Sequence, residues 1–126
     1  MLARGELADV VSGNPHFGDP QKRLIAATVG DVRVICAYVP NGQAIGSDKF
    51  DYKLAWLAAL EIWLAEQLAA HPQLALAGDF NIAPDDRDVH DPAASAGQIL
   101  CSYAERSAFQ RLQALGLHDS FRLFEQ

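Results

Sequence analysis

Hydrophobic positions change their period along the chain, and each change predicts an element. Residues 3–20 hold no sustained period: Leu7 to Val11 reads as a strand, and Gly13, Asn14, Pro15, Gly18 and Pro20 read as a loop. Arg23 to Val29 and Val32 to Val39 are rich in β-branched and apolar residues and are separated by Gly30-Asp31, which predicts an antiparallel hairpin with a two-residue turn. Alternation along the second strand puts Val32, Val34, Cys36 and Tyr38 on one face and Arg33, Ile35, Ala37 and Val39 on the other. Pro40-Asn41-Gly42 ends that strand, because proline has no N–H for a ladder and Asn-Gly favours a turn.

The period then becomes helical. Ser47 can cap a helix running from about Asp48 to Ala70, with Asp48 and Asp51 in its first turn complementing the dipole. Phe50, Leu57, Leu60, Leu64 and Leu68 fall on one face with Leu54 at its margin, and Trp56 and Trp63 stack beside it as core residues. His71-Pro72 stops the helix. Leu74 to Ala77, bounded by His71-Pro72 and Gly78, reads as a strand buried on both faces, as in parallel or mixed sheets. Residues 84–98 read as a long acidic loop with Pro84, Pro92 and Gly97. Ser102 and Glu105 have capping-box spacing before a last helix, on which Ala108, Phe109, Leu112 and Leu115 recur and which Gly116 ends. Strand, six-turn helix and strand in succession predict an α/β architecture, a layered sandwich with mixed β-sheets flanked by helices, in a single domain over 1–126.

Composition narrows the class. At 126 residues with half of them hydrophobic, the chain suffices for one folded core. No apolar run approaches the roughly 20 residues that span a bilayer. Met1 to Glu6 lacks the apolar centre of a signal peptide, so the expected compartment is the cytoplasm, with no membrane partner. Cys36 and Cys101 show no metal-ligand spacing and are expected as buried free thiols. A net charge of −6 argues against a protein that grips nucleic acid by coating its phosphates with positive charge. It leaves room for an enzyme that grips a phosphodiester through a metal held by carboxylates, with a few arginines managing the flanking backbone. Asp85, Asp86, Asp88 and Asp91 crowd one loop, and Lys22, Arg23, Arg106, Arg111 and Arg122 are the candidate phosphate contacts.

The candidate chemistry sits where the apolar run Leu74 to Ala77 passes through Gly78 to Asp79 and Asn81. In extended backbone these two side chains share a side. A carboxylate and a carboxamide together can hold a hard cation, position a water or donate to an anionic oxygen, and they are equally ordinary turn formers.

Gly78-Asp79-Phe80-Asn81-Ile82-Ala83-Pro84 resembles the GDFN-x-x-P segment of the exonuclease III and apurinic/apyrimidinic (AP) endonuclease family, within the endonuclease/exonuclease/phosphatase superfamily. Tyr38-Val39-Pro40-Asn41-Gly42, Asp88 to Pro92, and the stretch from Glu105-Arg106 to Leu117-His118-Asp119-Ser120-Phe121-Arg122 match the same family in the same order. The resemblance implies that Tyr38, Asp79 and Asn81 are catalytic, with Tyr38 near the scissile phosphate. It implies that Asn41, Arg106 and Arg122 approach DNA, and that Asp79 and Asn81 belong to the metal site. The expected ion is Mg²⁺, with Mn²⁺ as the alternative, since an oxygen shell suits a hard cation. The implied partner is double-stranded DNA with abasic sites or 3′ ends. His90 is not assigned, because the family's catalytic histidine comes from elsewhere.

The family also uses an early-strand asparagine, a metal-binding glutamate after it, a late aspartate and a C-terminal Ser-Asp-His segment, and none of these occurs here. The expectation is therefore a central portion of the family fold, inactive as an isolated piece of a base excision repair nuclease. Two readings stand beside it: a phosphatase or lipid phosphodiesterase of the same superfamily, and a noncatalytic remnant that binds DNA or a partner through Asn41, Arg106 and Arg122.

Overall fold

The hairpin forms where the sequence places it. In the computed structural model, which describes residues 1–124, β1 (Ala8–Ser12), β2 (Leu24–Val29) and β3 (Val32–Tyr38) are antiparallel neighbours, and β4 (Leu74–Asp79) joins β3 in parallel. The sheet is thus mixed, in the order β1-β2-β3-β4. The parallel step requires a crossover, which α1 (Asp48–Ala70) supplies. Ser47 Oγ accepts from the Phe50 N–H at 3.2 Å, and His71 turns extended before Pro72 prevents another helical turn.

The α1 face of the sheet carries the core. Leu24, Ala26, Ile35, Ala37 and Val39 pack against Trp56, Leu57, Leu60, Trp63 and Leu64, and against Ala108 and Leu112 of α3 (Tyr103–Ala114). Full burial of each large aliphatic side chain contributes about 1.5–3 kcal/mol. Arg33 lies on this face and is buried, its guanidinium satisfied by Gln67 Oε1 at 2.8 Å, the Asp9 carbonyl at 2.8 Å and Thr28 Oγ1 at 3.1 Å. The tryptophans are core residues, as their spacing implied. The helical pattern misjudged two positions: Leu68 is only half-buried, whereas Lys53 is completely buried.

Two burial expectations are corrected. Leu74 and Leu76 of β4 are half-buried, while Ala75, Ala77, Gly78 and Asp79 are exposed, so the strand is not buried on both faces. It lies at the edge of the sheet, and both long helices pack on one side. The register Val34↔Ala75, Cys36↔Ala77 and Tyr38↔Asp79 gathers these residues on the other side, which no described element covers. For the same reason Cys36 is exposed, and only Cys101 is buried; both are free thiols. The acidic loop is more ordered than expected, with a 3-10 turn at Asp86–Asp88 and a one-turn helix α2 (Pro92–Ser95) capped by Asp91. No helix among the described residues is long and apolar enough to cross a membrane.

Candidate active site

The parallel pairing of β3 and β4 brings their carboxyl ends side by side, so Tyr38 and Asp79 are register partners at one rim of the sheet. Gly78 makes the close approach: a Cβ built on it would fall 1.8 Å from the Ala37 carbonyl oxygen, and its φ of 141° suits glycine alone. Val39 N–H donates to the Asp79 carbonyl at 2.9 Å, extending the pairing one residue beyond the strands.

Asp79 and Asn81 are neighbours through a turn rather than along an extended strand. Asn81 has φ 47°, and its N–H donates to Asp79 Oδ1 at 2.9 Å, an Asx turn that asparagine tolerates better than most residues. The turn directs the Asn81 amide to the loop after β3: Nδ2 donates to the Val39 carbonyl at 2.9 Å, and Oδ1 accepts from Asn41 Nδ2 at 3.3 Å. Asp79 remains exposed, and this turn engages only Oδ1. Tyr38, Asn41, Asp79 and Asn81 therefore sit together at this rim.

A positive edge borders the cluster. The Arg23 guanidinium lies 4.9 Å from the centre of the Tyr38 ring, and its Nη1 donates to the Tyr38 carbonyl at 3.2 Å. Arg23, Asn41, Gln43, Lys49 and Tyr52 line a cleft of about 150 Å³. A larger cavity of about 920 Å³ follows the β4 edge and is lined largely by apolar residues, among them Leu74, Leu76, Phe109 and Leu112. It is a gap beside the outer edge of β4, which pairs with no other strand among the described residues; the polar convergence is at the rim.

The two candidate DNA-contacting arginines sit elsewhere. Arg106 Nε donates to the Ala83 carbonyl at 2.9 Å and Nη1 to Asp86 Oδ1 at 2.9 Å, while Arg122 pairs with Asp88. Both guanidinium groups hold down the acidic loop. Hydrogen bonding to Asp86 raises the Arg106 pKa. In the same loop, the Arg87 side chain holds the Asp85 carboxyl down to about 2. Arg111 pairs with Glu61 at 3.1 Å, and Lys22 is exposed.

The sequence reading missed the buried pair beneath the cluster. Lys53 of α1 and Glu105 of α3, both fully buried, form an ion pair. Glu105 was legible as a capping-box residue, and it does close that box, accepting from the Ser102 N–H at 3.2 Å and Ser102 Oγ at 2.7 Å. A lysine at position 53, among the apolar positions of α1, was the available signal.

Among the described residues, no group of three His, Cys, Asp or Glu side chains is placed to hold a metal ion. The donors present are hard oxygens, the Asp79 carboxylate and the remaining lone pair of Asn81 Oδ1. That set fits Mg²⁺, which commonly binds through one or two carboxylates and keeps several waters.

No family model matches the chain. It is 34% identical over 104 residues to an exodeoxyribonuclease of Bacillus subtilis, covering 82% of this chain and 40% of that protein. It is 32% identical over 123 residues to the DNA repair nuclease APEX1 of Danio rerio, covering 97% and 39% respectively. Among solved structures, it superposes with a TM-score of 0.96 on the Neisseria 3′ phosphatase NExo (D146N) bound to a product DNA hairpin, at 47% identity over 98% of this chain and 48% of that one. An AP endonuclease from Archaeoglobus fulgidus gives a TM-score of 0.86 at 33% identity, over 94% and 46%. The chain thus spans less than half the length of these relatives. In sequence, in fold and in the motifs that meet at the sheet rim, it belongs to the exonuclease III/AP endonuclease family.

Proposed function

We propose that this chain carries part of the active site of a metal-dependent DNA phosphodiester hydrolase of the exodeoxyribonuclease III/AP endonuclease type, acting in DNA repair. The observation that supports this reading best is the convergence of Tyr38, Asn41, Asp79 and Asn81 at the adjoining carboxyl ends of β3 and β4. Phosphodiester hydrolysis needs an oriented water, neutralisation of the phosphoryl oxygens and stabilisation of the leaving oxygen. Asp79, held by the Asn81 N–H, orients or deprotonates the water. Tyr38, exposed at the rim, donates to charge developing near the phosphate, and Asn81 shapes the surroundings of Asp79. Mg²⁺ bound through Asp79 and Asn81, with Mn²⁺ as the alternative, would neutralise phosphoryl charge. Asn41 lies beside the path of the DNA backbone, and Arg106 and Arg122 order the loop that flanks it.

The substrate is duplex DNA with abasic sites or 3′ ends; likeness to the Neisseria 3′ phosphatase supports the latter. Since the chain spans less than half the length of its relatives, activity is expected from a protein of their length, and the chain alone should be inactive. The test is Mg²⁺-dependent cleavage of a duplex containing an abasic site, and release from a 3′-blocked end, by the protein carrying this chain in its natural reading frame. Asp79→Asn should lower kcat by about 100-fold or more. Salt-sensitive DNA binding with no cleavage under any divalent ion would sink this reading in favour of a noncatalytic binding module.

A further inference from the structure

Two strand-to-loop corners, residues 39–43 and 79–83, meet over the second turn of α1, and each places a backbone carbonyl on the same buried ammonium. Lys53 Nζ donates to the Asn81 carbonyl at 2.5 Å, to the Asn41 carbonyl at 3.1 Å and to Glu105 Oε1. An ammonium has three protons, and all three are used. Glu105 is held in turn by the Leu100 N–H at 3.0 Å and by Ser102 Oγ at 2.7 Å. Gly42 completes the fit, because a Cβ there would lie 2.9 Å from Lys53 Cδ. The loop after β3 thus rests directly on the lysine stem.

A buried ammonium needs an acceptor for each of its three protons, and its charge partner Glu105 meets one of them. Here two of the three donors go to the carbonyls of Asn41 and Asn81, the residues whose side-chain amides meet at 3.3 Å above them. We propose that Lys53 is a positioning residue: by binding both carbonyls it sets the separation of the two loops, and through the Asn81 N–H it sets the Asp79 carboxylate. Two carbonyl dipoles converging in the interior repel each other, and without a cation between them both would lack a donor. The proposal rests on the phosphodiesterase reading for its kinetic consequence only.

The test compares Lys53→Met with the double variant Lys53→Met/Glu105→Gln, both made in the protein of its relatives' length that carries this chain. The single variant strands a buried carboxylate and is expected to fold poorly. The double variant removes both charges at similar volume, and glutamine can still close the capping box with Ser102. Three readouts are taken: the cooperativity of urea unfolding, the side-chain amide NMR signals of Asn41 and Asn81, and kcat and KM for DNA cleavage. Expected is a double variant that unfolds cooperatively while both amide signals shift and broaden and kcat falls by roughly 100-fold, the scale of a 1 Å misplacement, with KM little changed. Amide signals and kcat at wild-type values in the double variant would overturn the proposal. So would its loss of cooperative folding, which would make Lys53 a requirement of the fold alone. A wild-type protein that cleaves no DNA, while the amide signals still move in the variant, would remove the phosphodiesterase reading and leave the positioning role standing.

Discussion

Single residues carry the tightest constraints in this molecule. Gly78 admits no side chain, because the Ala37 carbonyl oxygen occupies the space a Cβ would take, 1.8 Å away. Gly78→Ala must push β3 and β4 apart at the rim, and we expect a loss of about 3 kcal/mol or more in urea unfolding, the range of severe steric and backbone strain. Asp85 illustrates a constraint of charge. Hydrogen bonding from Arg87 depresses its pKa to about 2 from the ordinary 3.8. A depressed carboxylate contributes stability that is present above its unfolded pKa and is lost as pH falls through the folded one, here in the window between 3.8 and about 2. Carboxyl NMR titration of Arg87→Gln should return Asp85 toward 3.8; an unchanged value would remove Arg87 as the cause.

At the scale of elements, helix ends were the most legible features. Ser47 caps α1, and Ser102 with Glu105 caps α3, as their spacing implied, because a cap involves only side chains and backbone N–H groups within one turn of each other. The two caps should nevertheless differ in cost. Ser47→Ala removes the cap bond and the hydroxyl's donation to the Ala44 carbonyl at 2.7 Å, but at a half-exposed position where water can replace both, and should destabilise by about 1 kcal/mol. Ser102 is buried, and its hydroxyl also donates to the carboxylate that holds Lys53, so Ser102→Ala should cost about 2 kcal/mol, the top of the range for caps. Paired thermal melts would show the ordering, and equal losses would deny the link between the α3 cap and the buried ion pair. The β3 alternation was equally readable, since residues two apart must share a face in any strand. The β4 burial was not: small apolar residues say that a surface can be covered, and the covering belongs to other elements.

For the molecule as a whole, one face of the sheet is packed and one is open. Val32, Cys36 and Tyr38 of β3 and Ala75 and Ala77 of β4 are exposed there, and the outer edge of β4 pairs with no other strand among the described residues. Exposed apolar sheet faces and free edges promote association. The chain by itself should therefore show concentration-dependent sedimentation, and a monodisperse monomer with a cooperative melt would count against this. Thiol labelling checks the geometry independently. Cys36 should react in the native state, whereas Cys101, 6% exposed, should react only on unfolding.

The sequence by itself determined the features that depend on neighbours along the chain: the hairpin, the crossover helix and its caps, the two faces of β3, and the motifs that bring Tyr38, Asn41, Asp79 and Asn81 into one family pattern. Periodicity and turn chemistry are local, so they can be read without knowing what lies across the core. Only the tertiary structure decided how those residues meet. The left-handed turn at Asn81 replaces the extended geometry, because its amide is claimed by Val39 and Asn41 from another loop. Lys53 is buried because α3 and two strand ends each bring an acceptor to one ammonium carried by α1, and no pattern of hydrophobic and polar positions encodes a meeting of four segments.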